Sequence, residues 1–147
     1  MTATAQGLAL LAAAVNGVAG IVSAFLWWRV EPARWAWWLI RAGQVVSVAL
    51  AAVAGVLALN GLEPDDGLFW LYAVLPVAVG FVAEQLRLAA AQTVLDARGL
   101  EDAKAVGRLG AEEQSSVVLA IVRRELGVMA AAALVSAFLA LRAFGTV

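Results

Sequence analysis

Four long apolar segments constrain the fold of this chain more than any other feature of its sequence. They cover residues 5–28, 35–60, 67–90 and 117–144. Each is at least as long as the roughly 20 residues that a helix needs to cross the hydrocarbon core of a bilayer. Within lipid, a helix satisfies its backbone hydrogen bonds inside a single segment. The segments therefore predict an all-α integral membrane protein with four transmembrane helices in an antiparallel bundle.

The amino-acid composition agrees with a location in the membrane. Hydrophobic residues make up 64% of the chain and charged residues 14%, compared with roughly 45–50% and about 25% in soluble domains. A length of 147 residues suits one domain. We therefore treat residues 1–147 as a single four-span membrane domain whose surroundings are the lipid bilayer.

The connecting loops differ in charge, and this difference predicts the orientation of the chain. Loops 28–34 and 91–116 contain Arg and Lys residues, whereas loop 61–67 contains three acidic residues and no basic one. Loops rich in Arg and Lys usually lie in the cytoplasm. Loops 28–34 and 91–116 are therefore predicted to be cytoplasmic, and both termini are predicted to lie outside the cell.

The choice of basic residues indicates the source of the chain. Nine of its ten basic residues are Arg, and Ala and Val are abundant. This bias is typical of bacteria with a high genomic GC content, so we expect a multi-pass protein of the bacterial plasma membrane.

The third and fourth apolar segments continue as helical patterns beyond the length of a span. "LAAAQTVLDAR" follows the third segment until Gly99, and "AEEQSSVVLAIVRREL" leads into the fourth. At about 1.5 Å per residue, each extension would project into the cytoplasm. We expect a helical stalk over residues 91–116, with a short helix near 100–109 and with "VVLAIV" packed on "LAAAQTVL".

Two residues of opposite charge lie inside apolar segments at matching depths. Arg41 is about two turns into the second segment, and Glu84 is about two turns from the cytoplasmic end of the third. A charged side chain in the middle of a span costs roughly 2.5–3.5 kcal/mol on insertion scales. Pairing lowers this cost, so we predict an Arg41–Glu84 ion pair that faces the interior of the bundle.

Helical spacing groups further polar residues with this pair. Positions on one helix face recur every three or four residues, which places Gln44 beside Arg41 and Arg87 beside Glu84, while Asn16 comes from the first segment. Two interpretations stay open, since such residues form either a satisfied polar network that fixes helix pairing or an ion path or ligand site. The candidate site residues are Arg41, Gln44, Gln85, Glu84, Arg87 and Asn16, with Arg123, Arg124 and Glu125 closing the cytoplasmic mouth.

Three arginines near the cytoplasmic boundary are candidates for lipid contact. Arg87, Arg123 and Arg124 lie where long basic side chains reach the interface and meet anionic head groups. Trp residues cluster at the same boundary, which is typical of interfacial anchoring.

Small residues predict where helices approach closely. Gly43, Ser47, Ala51 and Gly55 recur every fourth residue in the second segment, and such steps let another helix pack tightly. This face is expected to pair helices within one chain or between two chains. In the third segment, Pro76 and Gly80 predict a local kink.

The sequence lacks the residues that several classes of enzyme and metal-binding protein require. The chain has no Cys and no His, so thiol nucleophiles, His-dependent triads and the usual zinc or haem ligands are absent. No catalytic residue, metal site or cofactor is predicted. A net charge of −1 argues against nucleic-acid binding. Whether the chain is an enzyme stays uncertain, with a non-enzymatic role favoured.

Three functional hypotheses follow from these features. The first is a homo-oligomeric ion channel or small transporter with an Arg–Glu polar site in the inner leaflet. The second is a non-catalytic accessory or assembly subunit that binds another membrane protein. The third is a lipid-binding or lipid-modifying membrane protein that uses the inner-leaflet arginines.

Overall fold

The computed structural model describes residues 2–147 and shows an all-helical chain. Helices account for 83% of the chain, so the all-α prediction is confirmed. They are α1 (Thr2–Arg29), α2 (Ala36–Leu59), α3 (Leu68–Ala97), α4 (Ala103–Gly107) and α5 (Ala111–Phe144).

Two glycines explain where α2 and α3 end. Gly61 and Gly99 have φ angles of +74° and +67°, a left-handed conformation that glycine adopts without a steric penalty. Such residues commonly follow the last turn of a helix. The helix end that the sequence predicted at Gly99 is therefore present.

Each long helix packs mainly against two others. α1 lies between α2 and α5, and α3 also contacts both α2 and α5. Small residues dominate the main core, in which Ala5, Ala9 and Ala12 of α1 pack with Leu50 and other residues of α2, α3 and α5. Alanine side chains let helix backbones come close together, so the helices pack closely in this core.

The outer faces of these helices are apolar. Ile21, Val45, Phe81 and Phe138 are each more than 60% exposed. All four long helices have the length and hydropathy required to cross a membrane. A surface of this kind is unfavourable in water, because soluble monomers rarely expose large contiguous apolar patches.

The ends of α3 and α5 pack together beyond the main core. Val94 and Leu95 of α3 form a buried cluster with Val117 of α5, so the contact expected between "LAAAQTVL" and "VVLAIV" is present. The short helix α4 is capped at its N-terminus by Asp102, whose Oδ1 accepts a hydrogen bond of 2.9 Å from the Ala105 amide. This capping contact fixes the connector between the two long helices.

One prediction about α2 is wrong. The sequence predicts that Arg41 faces the interior, but Arg41 is exposed, as are Val48 and Gly55 on the same stripe of α2. The buried stripe contains Ala36, Ile40, Gly43, Ser47, Leu50, Ala54 and Leu57. The two stripes are neighbouring faces of one helix, and burial against α1, α3 and α5 selects the one without charges.

Candidate functional site

Arg41 and Glu84 form the centre of the polar site. Arg41 lies near the start of α2 and Glu84 in the second half of α3, and these helices are neighbours. Arg41 Nη1 donates to Glu84 Oε1 at 2.6 Å, and Nη2 donates to Glu84 Oε2 at 3.5 Å. The ion pair predicted from the sequence is thus present between two different helices.

Gln44 completes a triangle with this pair. It lies one turn after Arg41 on α2, and its Oε1 accepts a hydrogen bond of 2.6 Å from Arg41 Nη1. Its Nε2 donates to Glu84 Oε1 at 2.9 Å. The amide therefore contacts both charged groups at once and holds the pair in one geometry.

Arg87 extends the network to α5. Its Nε donates to Glu84 Oε2 at 3.1 Å, and its Nη1 lies 3.7 Å from Glu125 Oε1. The guanidinium group also lies 5.4 Å from the centre of the Trp37 ring, within the range of a cation–π contact. The site thus joins α2, α3 and α5.

The formal charges of this network cancel. Arg41 and Arg87 contribute two positive charges, and Glu84 and Glu125 contribute two negative ones. Glu84 accepts from three different side chains, which uses most of the hydrogen-bonding capacity of a carboxylate. A neutral and well-satisfied cluster binds α2, α3 and α5 to one another.

The pair does not face the interior as predicted. The Arg41 side chain is 47% exposed and that of Glu84 is 24% exposed. Arg41 follows Ile40, which is buried, and one residue along a helix turns the side chain by about 100°. Arg41 therefore lies on the outer surface of α2, where it retains guanidinium donors for a further acceptor.

Asn16 belongs to a second polar contact in the core. It is 4% exposed, and its Nδ2 donates to the Ser47 hydroxyl at 3.1 Å and to the Gly43 carbonyl at 3.2 Å. Ser47 in turn donates to the Gly43 carbonyl at 2.9 Å. These bonds connect α1 to α2 and do not reach Glu84 directly.

A small cavity lies between the two polar contacts. Its volume is about 20 Å³, and residues from all four long helices line it. The polar lining residues are Asn16, Gln44, Ser47 and Ser136, and the apolar ones include Ile40, Pro76 and Met129. Sequence reasoning missed Ser136, because a single serine in an Ala-rich helix carries no distinguishing signal.

A groove opens sideways between α2 and α3. It has a volume of about 220 Å³, and Gln44 and Glu84 lie at its polar end. Its remaining walls are Val48, Pro76, Val77, Gly80 and Phe81. The groove thus combines charged and amide groups with apolar side chains on an outer face.

The other predicted site residues lie apart from this network. Gln85 is exposed and Arg124 is exposed. Arg123 lies 5.5 Å from the centre of the Trp27 ring. Of Arg123, Arg124 and Glu125, only Glu125 contacts the network, through Arg87. Trp37 is a further partner of Arg87, and the sequence places it only among the Trp residues of the interfacial boundary.

The predicted packing residues divide into two groups. Gly43 lies in close contact with Asn16 of α1, because a Cβ atom on Gly43 would lie 2.6 Å from Asn16 Oδ1. Pro76 is buried within α3, and a Cβ on Gly80 would come 3.9 Å from the Gln44 side chain. A Cβ atom on Gly55 would have no neighbour within 4 Å. The close contact through small residues therefore covers the first half of α2 and ends before Gly55.

The titratable residues do not form a metal site. Among residues 2–147, no group of three or more His, Cys, Asp or Glu residues is placed to hold a metal ion. The chain also matches no protein-family model, no curated protein and no solved structure. The geometry of the polar network is therefore the basis for a functional proposal.

Proposed function

We propose that this chain is an integral membrane protein that works as a homo-oligomer. Its copies meet at the outer face formed by Arg41, Gln44, Val48 and Glu84, which we call the α2–α3 face. The observation that supports this proposal is the half-exposed guanidinium group of Arg41, the only charged residue of α2. A charged group at this place is more stable when a polar partner covers it.

The membrane setting makes this coverage favourable. In the proposed orientation, loops 28–34 and 91–116 lie in the cytoplasm and both termini lie outside the bacterial plasma membrane. Arg41 then lies in the inner leaflet, close to the Trp residues at the start of α2. A charge deeper in a span costs roughly 2.5–3.5 kcal/mol, and a second protein surface lowers this cost by supplying hydrogen-bond acceptors.

A second copy of the chain is a suitable partner because the α2–α3 face complements itself. It carries a positive group, Arg41, and a negative group, Glu84, at the same depth. A two-fold axis along the membrane normal places Arg41 of one copy opposite Glu84 of the other, and the reverse. The apolar walls at Val48 and Phe81 then pack across the same axis.

The proposal extends to the transport of ions or small molecules by the oligomer. The core cavity of one copy measures about 20 Å³, which is enough for one water molecule and too little for a hydrated ion. An ion channel or small transporter built from this chain would therefore need its path between copies. Arg41, Gln44 and Glu84 are the polar groups on the α2–α3 face where such a path would run.

The two other hypotheses receive less support. A lipid phosphate favours a surplus of positive charge, whereas the network around Glu84 is formally neutral. Arg123 and Arg124 do not belong to this network, and they could contact anionic lipid head groups without a specific binding site. An accessory subunit would use the same α2–α3 face, but it would bind a different protein there.

Single-cysteine cross-linking tests the proposed contact, since the natural chain has no cysteine. Val48 and Val18 are both 53% exposed, on α2 and α1 respectively. Under mild oxidation in native membranes, Val48→Cys should form a covalent dimer and Val18→Cys should remain monomeric. Equal cross-linking of the two variants, or none with Val48→Cys, would contradict a contact at the α2–α3 face.

Flux in liposomes tests the finer proposal of transport. Glu84→Gln removes the central charge, and Glu101→Gln makes the same chemical change at an exposed position. A channel predicts that ion flux changes with Glu84→Gln and not with Glu101→Gln. If neither the natural protein nor the variants conduct ions, the transport proposal fails while the contact between copies is judged by cross-linking alone.

A further inference from the structure

We infer that the core cavity holds one ordered water molecule that connects the two polar contacts of the site. The cavity lies where α1, α2, α3 and α5 meet, on the inner side of the α2–α3 face, with which it shares Gln44. A water molecule at this place is a structural ligand of the monomer. The inference therefore does not depend on oligomer formation or on transport.

The size of the cavity selects water. A cavity needs roughly 10–15 Å³ to accommodate one water molecule, and this one measures about 20 Å³. Larger polar molecules do not fit without a rearrangement of buried residues. Ile40, Pro76 and Met129 close its walls and are all nearly inaccessible to solvent.

The polar groups that line the cavity have unused hydrogen-bonding capacity. Ser136 is 4% exposed, and within the described chain its hydroxyl makes no hydrogen bond to protein. Asn16 is also 4% exposed, and its bonds to protein all use Nδ2, which leaves Oδ1 as an acceptor. Buried polar groups without a protein partner usually bind an ordered water molecule.

Gln44 provides the connection to the charged network. Its Nε2 donates one hydrogen to Glu84, and a carboxamide nitrogen carries a second hydrogen. Because Gln44 also lines the cavity, that second hydrogen is available to the water molecule. The water then has three polar partners, Asn16, Ser136 and Gln44, which is the usual number for a buried water molecule.

This water molecule would join two polar contacts that the protein groups alone leave separate. On one side is the bond between Asn16 and Ser47, and on the other are Gln44, Glu84 and Arg41. The four long helices would then share one continuous set of hydrogen bonds. Removing the water partner on α5 should weaken the link between α5 and α2.

A crystal structure of the natural protein in a lipidic phase, at a resolution that shows ordered solvent, tests the inference directly. We expect one density peak within hydrogen-bonding distance of Asn16 Oδ1 and Ser136 Oγ. An empty cavity, or one filled by a shifted side chain, would overturn the inference. Anomalous signal in the cavity after a soak with Tl⁺ would identify a monovalent cation and would overturn it as well.

Two serine variants give a matched comparison. Ser136→Ala removes a proposed water partner, and the peak should be lost or strongly reduced while the Arg41–Glu84 pair stays intact. Ser23→Ala removes another buried hydroxyl that has no hydrogen-bond partner in the structure and does not line this cavity, so the peak should remain. If Ser136→Ala does not fold, the solvent density of the natural protein still decides the question.

Discussion

At the scale of single residues, Glu84 determines the geometry of the polar network. Its carboxylate accepts hydrogen bonds from Arg41, Gln44 and Arg87. No other carboxylate in the described chain accepts hydrogen bonds from as many side chains. The network therefore depends on one carboxylate, and the two arginines would lose their shared partner without it.

Replacing Glu84 with Gln should destabilise the protein. Hydrogen bonds that involve a charged group contribute roughly 1.5–3 kcal/mol each to stability, and the exposure of Arg41 reduces that contribution through solvent screening. We expect a loss of about 1–3 kcal/mol for Glu84→Gln, seen as a lower thermal midpoint by circular dichroism in detergent micelles. Glu101→Gln, at an exposed position outside the network, should leave the midpoint almost unchanged.

An equal midpoint for the natural protein and Glu84→Gln would show that the network contributes no stability. That result would leave the network with a role in binding or transport only.

At the scale of helices, the Asn16 side chain of α1 lies in close contact with Gly43 of α2. The Asn16 side chain occupies the space that a Cβ on Gly43 would need. The sequence predicted a close approach from the spacing of Gly43, Ser47, Ala51 and Gly55. It could not show that only the first half of this stripe is used, because the position of α1 depends on packing across the whole core.

Two glycine variants on α2 should therefore differ in sign. Gly43→Ala places its Cβ 2.6 Å from Asn16 Oδ1, and overpacking of this kind costs typically 1–3 kcal/mol. Gly55→Ala meets nothing within 4 Å and should stabilise the helix by up to about 1 kcal/mol through helix propensity. Thermal unfolding of both variants checks this, and a Gly43→Ala protein as stable as the natural one would contradict the close contact.

The extensions of α3 and α5 depend on a small cluster of their own. Val117 is 1% exposed and packs with Val94 and Leu95, whereas the next residue, Val118, is 50% exposed. Val117→Ala should cost about 1 kcal/mol or more because it removes buried methyl groups. Val118→Ala should have little effect.

Hydrogen exchange measures this effect locally. We expect faster exchange of the backbone amides of residues 91–97 and 117–121 in Val117→Ala. Unchanged exchange in this region would indicate that the ends of α3 and α5 do not support each other.

At the scale of the whole molecule, the sequence predicts the number of helices better than their arrangement. The length of the apolar segments and the glycine at position 99 suffice to place four long helices and the end of α3. The contact between Arg41 and Glu84 also follows from their matching depths. Which face of α2 is buried does not follow, because Ile40 and Arg41 are adjacent and only tertiary packing distinguishes their faces, with Ile40 packed against Ala83 of α3 and Met129 of α5.

The proposed orientation in the membrane leads to a labelling prediction. Glu63 lies in the loop between α2 and α3, and Glu101 lies between α3 and α4, and both are exposed. Replacing either with Cys leaves every Arg and Lys that determines orientation in place. In intact cells, a membrane-impermeant maleimide should label Glu63→Cys, while Glu101→Cys should react only after permeabilisation.

The reverse pattern of labelling would invert the orientation. Labelling of both cysteines in intact cells would contradict the number of membrane crossings between them.

In the proposed oligomer, copies of this chain associate through the α2–α3 face. Native mass spectrometry of the protein released gently from lipid nanodiscs tests it most directly, with Val48→Trp as the blocking variant and Val18→Trp as the control of equal exposure. We expect a defined oligomer for the natural protein and for Val18→Trp, and a shift to monomer for Val48→Trp. A natural protein that is monomeric, or an oligomer that survives Val48→Trp unchanged, would contradict it.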